Sequence, residues 1–233
     1  MEADRVKILV IDIGGTHVKV LASGRTKPVE IPSGPEMTPA KMIAAVRAAA
    51  SDWKYDAVSI GYPGPVAHGR PLAEPYHLGC CWVGFDFKKA FARPVKIVND
   101  AAMQALGSYQ GGRMLFLGLG TGLGSALIVD NLLEPLELAH LPYKKGRSYE
   151  DYVGQAGLER LGKRKWTREV KAVVQRLQAA MQVDYVMLGG GNVRLLEKLP
   201  PRTRRGNNAN AFQGGYRLWT KRYGGSTRER FVH

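Results

Sequence analysis

Two glycine-rich turns, each set between apolar runs, constrain this chain more than any other feature. The first is Asp12-Ile13-Gly14-Gly15-Thr16, between the apolar runs 8–11 and 18–21. The second is Gly118-Leu119-Gly120-Thr121-Gly122-Leu123-Gly124-Ser125, between runs 114–117 and 126–129. Apolar runs this short read as strands, so each turn joins strand to strand. Glycine lets the backbone turn tightly and brings bare N–H groups against an anion. Two such turns predict two walls closing on one phosphate chain. Neither is a dinucleotide fingerprint, because the second has its glycines at alternate positions and leads into a strand rather than a helix. No Gly-Lys-Ser/Thr follows either turn, so neither is a P-loop.

The rest of the chain reads as alternating strands and helices. Residues 6–11, 18–21 and 28–31 are expected to form a meander. Thr38 followed by Pro39 starts a helix that runs to residue 50, with a hydroxyl cap and proline at the first helical position. Strands are expected at 57–60, 95–98 and 184–188, and a helix at 101–106. Another helix is expected to begin near 148–151. Thr167 is expected to cap an amphipathic helix carrying Val170, Val173, Val174, Leu177 and Met181 on one face. Gly189-Gly190-Gly191 breaks the 184–188 strand, and Asn192 is expected to cap a helix ending at Pro200-Pro201. From residue 202 the pattern is basic and aperiodic, and no element is assigned. The repeated order of strand, glycine turn and strand suggests a duplication, with two α/β domains and a cleft between them.

Acidic residues flank the turns. Asp12 ends a buried strand and is either a turn carboxylate or an anchor for magnesium on a phosphate chain, directly or through water. Thr16 either bonds a phosphate oxygen or stabilises its turn. Lys19, on the following strand, either reaches the phosphate or is a surface lysine. Asn99-Asp100 sits where a strand meets a helix. Asp100 is a helix cap or a general base, and its place between the two glycine segments favours the base. Glu137, His140 and Glu150 form a looser set whose carboxylates and imidazole suit a polyhydroxylated sugar.

Composition narrows the classes. No apolar run approaches the ~20 residues of a membrane span, and the short acidic start does not read as a signal peptide. The two cysteines, Cys80 and Cys81, are adjacent, which fits a reducing cytoplasm and gives no cysteine-based metal site. The charge is lopsided: residues 1–140 carry 14 Lys/Arg against 13 Asp/Glu, and residues 141–233 carry 20 against 7. A basic half attracts polyanions or is simply a solvated surface. No nucleic-acid motif or aromatic–basic repeat supports a nucleic-acid partner.

Taken together, these segments resemble the ROK family of sugar kinases, within the actin-like, hexokinase-type ATPases. Ile11-Asp12-Ile13-Gly14-Gly15-Thr16 with Lys19 is similar to the family's first phosphate motif. Gly61-Tyr62-Pro63-Gly64-Pro65 is similar to its G-x-P-G turn, and Val98-Asn99-Asp100-Ala101 to its catalytic motif. Leu119-Gly120-Thr121-Gly122-Leu123-Gly124 resembles the second phosphate motif. Glu137-Leu138-Ala139-His140-Leu141 resembles the sugar-binding E-x-G-H, with Ala139 in place of glycine. Gly189-Gly190-Gly191 resembles the nucleotide-side glycines. The family's zinc-binding cysteine cluster is missing, as in its polyphosphate glucokinase branch.

The resemblance implies an α/β fold of two ribonuclease H-like (actin-like ATPase) domains around a central cleft. The expected division is 1–108 and 109–233, the final residues packing back on the first domain. It implies a hexose kinase using ATP, inorganic polyphosphate or both, with Asp100 as base and magnesium near Asp12 but no zinc. Gly64, Asn99, Asp100, Glu137, His140 and Glu150 would hold the sugar. Asp12, Gly14, Gly15, Thr16, Lys19, Gly120, Thr121, Gly122, Gly190 and Gly191 would serve the donor. It also implies a cytoplasmic enzyme, often a homodimer in this family. The alternative is a sugar-binding or regulatory protein on the same fold with weak or no kinase activity.

Overall fold

The structure, a computed structural model, describes residues 6–207 and 209–220. In chain order the elements are β1 (Ile8–Ile13), β2 (His17–Ala22), β3 (Val29–Pro32), α1 (Pro39–Ala49), β4 (Ala57–Tyr62), β5 (Val66–Ala67), β6 (Arg70–Pro71), α2 (Phe87–Phe91), β7 (Val95–Asn99) and α3 (Asp100–Ser108). There follow β8 (Arg113–Leu119), β9 (Leu123–Val129), β10 (Leu132–Leu136), β11 (Pro142–Lys144), β12 (Arg147–Ser148), α4 (Glu150–Val153), α5 (Gln155–Met181) and β13 (Tyr185–Gly189). A 3-10 turn (Gly191–Leu195), β14 (Thr203–Arg205) and α6 (Asn210–Arg217) complete the described chain. The described residues fall into two compact units: 6–103 with 211–220, and those between 104 and 210. No helix among the described residues is long and apolar enough to cross a membrane.

The first unit is built on the sheet β3-β2-β1-β4-β7. Strands β1, β2 and β3 form an antiparallel meander, while β4 and β7 run parallel to β1. Side chains alternate across a strand, and β1 uses both of its faces. Leu9, Ile11 and Ile13 pack with Met42, Ile43 and Val46 of α1. Ile8 and Val10 pack with Met103 of α3 and with Ala211 and Phe212 of α6. A strand covered on both sides reads as a continuous apolar run, which is why 6–11 was legible. Helix α1 starts as expected, with Thr38 Oγ1 accepting from Lys41 N at 3.3 Å.

The second unit repeats the plan with the sheet β10-β9-β8-β13-β14. Here β8, β9 and β10 are the antiparallel meander, and β13 and β14 run parallel to β8. Both sheets have ribonuclease H-like order and sense. Leu115, Leu117 and Leu119 of β8 share a core with Trp166, Val170, Val173, Val174 and Leu177 of α5.

Three expectations need correction. Thr167 does not cap a helix: α5 begins at Gln155, with one interruption at Gly162 (φ 72°, ψ 155°). Trp166 extends the apolar stripe upstream of Thr167, fully buried and donating from Nε1 to Val153 O at 2.9 Å. Asn192 caps no helix: it lies inside a single 3-10 turn that starts at Gly191 with Gly190 at the N-cap position, and its Nδ2 bonds elsewhere, as described below. The stretch from 202, left without an element, contains β14 and α6, while residues 221–233 lie outside the described residues.

Helix α6 was obscured by its two glycines, yet Gly215 lets it sit close to the sheet. Ser59 of β4 is fully buried and donates to Gly215 O at 2.6 Å, while accepting from Trp219 Nε1 at 2.8 Å. A Cβ on Gly215 would collide with both γ-methyls of Val10. In an exposed helix, glycine to alanine gains roughly 1 kcal/mol. Here overpacking against a stiff, buried valine costs about 1–3 kcal/mol and should win. Gly215→Ala is therefore expected to destabilise the protein in urea unfolding, and a stabilised variant would show that α6 does not bear on β1.

Candidate active site

In the first unit the site is assembled at the ends of three parallel strands. Asp12 of β1 lies opposite Lys19 on β2 and Gly61 on β4. Asn99 ends β7 opposite Tyr62, and Asp100 opens α3. Asn99 is committed to the fold. Its Nδ2 donates to Gly64 O at 3.0 Å, and its Oδ1 accepts from Ala101 N at 3.0 Å and Ala102 N at 3.2 Å. It therefore caps α3 and ties the Gly64 turn to the same point. Asp100 Oδ1 accepts from Ala101 N at 2.7 Å.

Both carboxylates are pushed up from the usual range. Burial lifts Asp12 to about 6, opposed by the charge of Lys19. Burial, then the neighbouring Asp12 charge, lifts Asp100 to about 7, opposed by backbone N–H bonds at Ala101 and Asp100 itself. Loss of water penalises the charged form, and a like charge adds to the penalty.

The first glycine turn lies beside this pair. Gly14 N donates to His17 O at 3.0 Å, so that N–H is used in closing the turn. Thr16 Oγ1 is 3.2 Å from His17 Nδ1, and Thr16 O accepts from Ser33 N at 2.9 Å. Lys19 Nζ is 3.4 Å from Glu30 Oε1. His77, which sequence reasoning did not single out, packs against Gly15: a Cβ there would be 3.0 Å from its Cβ.

In the second unit the turn between β8 and β9 is held by side chains distant in sequence. Glu150 Oε2 accepts from Leu123 N at 2.9 Å and lies where a Cβ on Gly122 would be. Gln155 N donates to Thr121 O at 3.1 Å, and Gly120 N to Gly122 O at 3.2 Å. Asn192 Nδ2 bridges Gly120 O at 3.3 Å and Gln155 Oε1 at 2.9 Å. Gly190, at φ 83°, presses on Leu119 so closely that a Cβ would strike its backbone, while Gly191 faces open space. The predicted Gly120, Thr121, Gly122, Glu150 and Gly190 are thus one cluster. Gln155 was missed, because its partners are distant in sequence and no local pattern marks it.

Glu137 and His140 lie on the link between β10 and β11, both exposed, with Oε1 and Nε2 3.9 Å apart. Ala139 between them is buried in the second unit's core, and its carbonyl accepts from Glu150 N at 3.0 Å. That bond brings the sugar-like motif to the Glu150 that supports the second turn.

Among the described residues no three His, Cys, Asp or Glu side chains come together as a metal cage. Asp12 and Asp100 nonetheless fit a magnesium ion, which commonly takes one or two carboxylates and completes its shell with phosphate oxygens and water. Cys80 and Cys81 are free and exposed.

A family model described as ROK family matches residues 8–134, more than half of the chain. The chain belongs to the ROK family. A polyphosphate glucokinase of Mycobacterium tuberculosis is 27% identical over 215 residues, 82% of this chain and 80% of that protein. The crystal structure of an inorganic polyphosphate/ATP-glucomannokinase from Arthrobacter sp. strain KM superposes with TM-score 0.76 at 23% identity, covering 91% of this chain and 97% of that one. A ROK family glucokinase from Streptomyces griseus, solved with glucose and AMPPNP, gives TM-score 0.72 at 19% identity, covering 91% and 98%. These likenesses place the fold among the ROK sugar kinases of the actin-like ATPase class.

The raised carboxyl of Asp100 has a thermal signature. An aspartate ionises near pH 3.8 when unfolded and near 7 when folded, so between these values the folded state holds a proton the unfolded state has lost. Stability from this group is present below pH 4 and falls as pH rises through 7. Asp100→Asn is expected to raise Tm relative to the parent at pH 8 and to change it little at pH 4. A difference that does not vary with pH would refute the burial of this carboxyl.

Proposed function

We propose that the protein is a sugar kinase that transfers a phosphoryl group from ATP or inorganic polyphosphate to the 6-hydroxyl of glucose or a related hexose. The observation that carries this reading is Asp100, a desolvated carboxyl held near pH 7 at the start of a helix. A base works best when its pKa lies near the operating pH. The names of its relatives, polyphosphate glucokinase and polyphosphate/ATP-glucomannokinase, support the same chemistry.

In this reading the Asp100 carboxylate takes the proton of the sugar hydroxyl as its oxygen attacks the terminal phosphorus. The bond from that phosphorus to the bridging oxygen breaks, leaving ADP or a shortened polyphosphate. Bound magnesium would neutralise charge on the donor phosphates, and Asp12 would hold it directly or through water. Gly14, Gly15, Thr16 and Lys19 would meet the phosphates from the first turn, and Gly120, Thr121 and Gly122 from the second. Gly190 and Gly191 would flank the donor. Gly64, Asn99, Glu137, His140 and Glu150 would orient the sugar. Asn99 acts largely through position, since its amide already binds Gly64, Ala101 and Ala102.

Two measurements test this. Asp100→Asn should lower sugar phosphorylation by ~10²–10⁴ while sugar binding persists, because a positioned base supplies about that much. Near-normal turnover would remove Asp100 from the chemistry. Glu137→Gln and His140→Ala should weaken sugar affinity by ~0.5–3 kcal/mol each and leave donor affinity alone, since each loses hydrogen bonds to hydroxyls. Separate titrations of sugar and donor decide it, and unchanged sugar affinity in both variants would leave them a structural role.

A further inference from the structure

The second unit contains a cavity of about 460 Å³ with an unusual lining. One wall is α5, the other the chain that follows the 3-10 turn. Lys163, Arg164, Arg168, Lys171 and Lys198 line it, with Glu197 as the one acid. Arg164, Thr167, Arg168 and Lys171 fall at i, i+3, i+4 and i+7, a single stripe along the helix. The opposite stripe, Trp166, Val170, Val173, Val174 and Leu177, is buried in the core, so the cationic stripe is fixed in its outward orientation.

Most of these charges have no acidic partner in direct contact. Glu197 Oε1 pairs with Lys163 Nζ at 2.9 Å and is consumed. Among the described residues, Arg164, Arg168, Lys171 and Lys198 form no ion pair within 4.0 Å. Like charges one turn apart on a helix repel. Four cations beyond the Lys163–Glu197 pair, around one concavity, raise the local concentration of an anion.

Both walls lead away from the second glycine turn. Helix α5 begins at Gln155, whose side chain meets Asn192, and Asn192 in turn reaches Gly120. The other wall leaves the same place through Gly190 and the 3-10 turn to Leu195, Glu197 and Lys198. A phosphate chain seated at Gly120 to Gly122 would find cations along this path. A nucleotide needs only a few charges, whereas a linear polyanion uses a row of them.

The geometry points to this groove, between α5 and the segment after the 3-10 turn, as a binding track for linear inorganic polyphosphate. That the bound chain also serves as phosphoryl donor rests on the kinase reading; the binding itself does not.

The test uses the full chain with inorganic polyphosphate as probe. The double variant Arg168→Gln/Lys171→Gln is compared with the parent and with Lys27→Gln/Lys88→Gln, which removes the same charge from the exposed surface of the first unit. Polyphosphate binding is measured by calorimetry across a sodium chloride series, and sugar phosphorylation is measured with each donor. The groove variant should bind polyphosphate at least about tenfold more weakly. Its slope of log affinity against log salt should be shallower by roughly 1.4, two contacts at ~0.7 each by analogy with single-stranded nucleic acid. Its ratio of kcat/KM with polyphosphate to that with ATP should fall by a similar factor. Equal weakening in the two double variants would overturn the track in favour of general surface charge. Equal affinity for single-stranded DNA of matched length would overturn its selectivity for polyphosphate. If the parent phosphorylates no sugar with either donor but binds polyphosphate through the groove, the kinase reading falls and the track stands. If both donors work and the groove variant matches the parent, the track alone falls.

Discussion

The withdrawal of water from two neighbouring carboxylates is the constraint on which the first unit depends. Asp12 and Asp100 sit on β1 and at the end of β7, with β4 between them. Gly61 of β4 stands beside Asp12, and a Cβ there would meet Met103 and approach Asp12 Oδ1 to 3.4 Å. The missing side chain is what lets the carboxylate, the strand and the start of α3 crowd together. The charge is offset by Lys19 on one side and by backbone N–H groups at the start of α3 on the other. Those offsets leave both groups raised, and a half-buried pair of this kind is an arrangement suited to a proton acceptor or a hydrated cation. A purely structural role would be served as well by amides, at lower cost.

In the second unit the analogous task is to hold a backbone turn open. The turn between β8 and β9 uses no carboxylate of its own. Its shape is set by Glu150 at Leu123, Gln155 at Thr121, and Asn192 at Gly120. Because Glu150 N also binds Ala139 O, a change in the Glu137–His140 link is transmitted to the turn through one hydrogen bond. Replacing the family's glycine with Ala139 adds a methyl group that is buried in the core rather than presented to a ligand.

What was legible in the sequence follows from this division. Local patterns revealed β1, β2 and their turn, the Thr38–Pro39 helix start, and the Asn99–Asp100 junction, because each depends on residues within a few positions. The contacts of Gln155 and Asn192 were not legible, since they depend on the approach of α5, β8 and the 3-10 turn. Thr167 misled because a hydroxyl before an apolar stripe resembles a cap, whereas Trp166 already belonged to that stripe. Helix α6 escaped because its two glycines weaken helix propensity, while one of them, Gly215, is there for close packing on Val10.

The register of the two sheets shows where two frames of the same strand order differ. In the first, Asp12 faces Lys19 across the meander and Gly61 across the parallel pair, one residue before the turn closes at Ile13 and Val18. In the second, Gly118 holds the matching position, facing Gly124 and Gly189, one residue before Leu119 and Leu123. The oppositely charged cross-strand pair Asp12 and Lys19 of one sheet thus corresponds to a pair of glycines in the other. With no side chains at Gly118 and Gly124, the approach to the second turn is bare backbone, with Glu150 the carboxylate held against it. With Asp12 and Lys19, the first turn offers charges of both signs, which suits a cation and the phosphate it accompanies. At these two cross-strand positions the halves differ in charge while their strand order and sense remain the same.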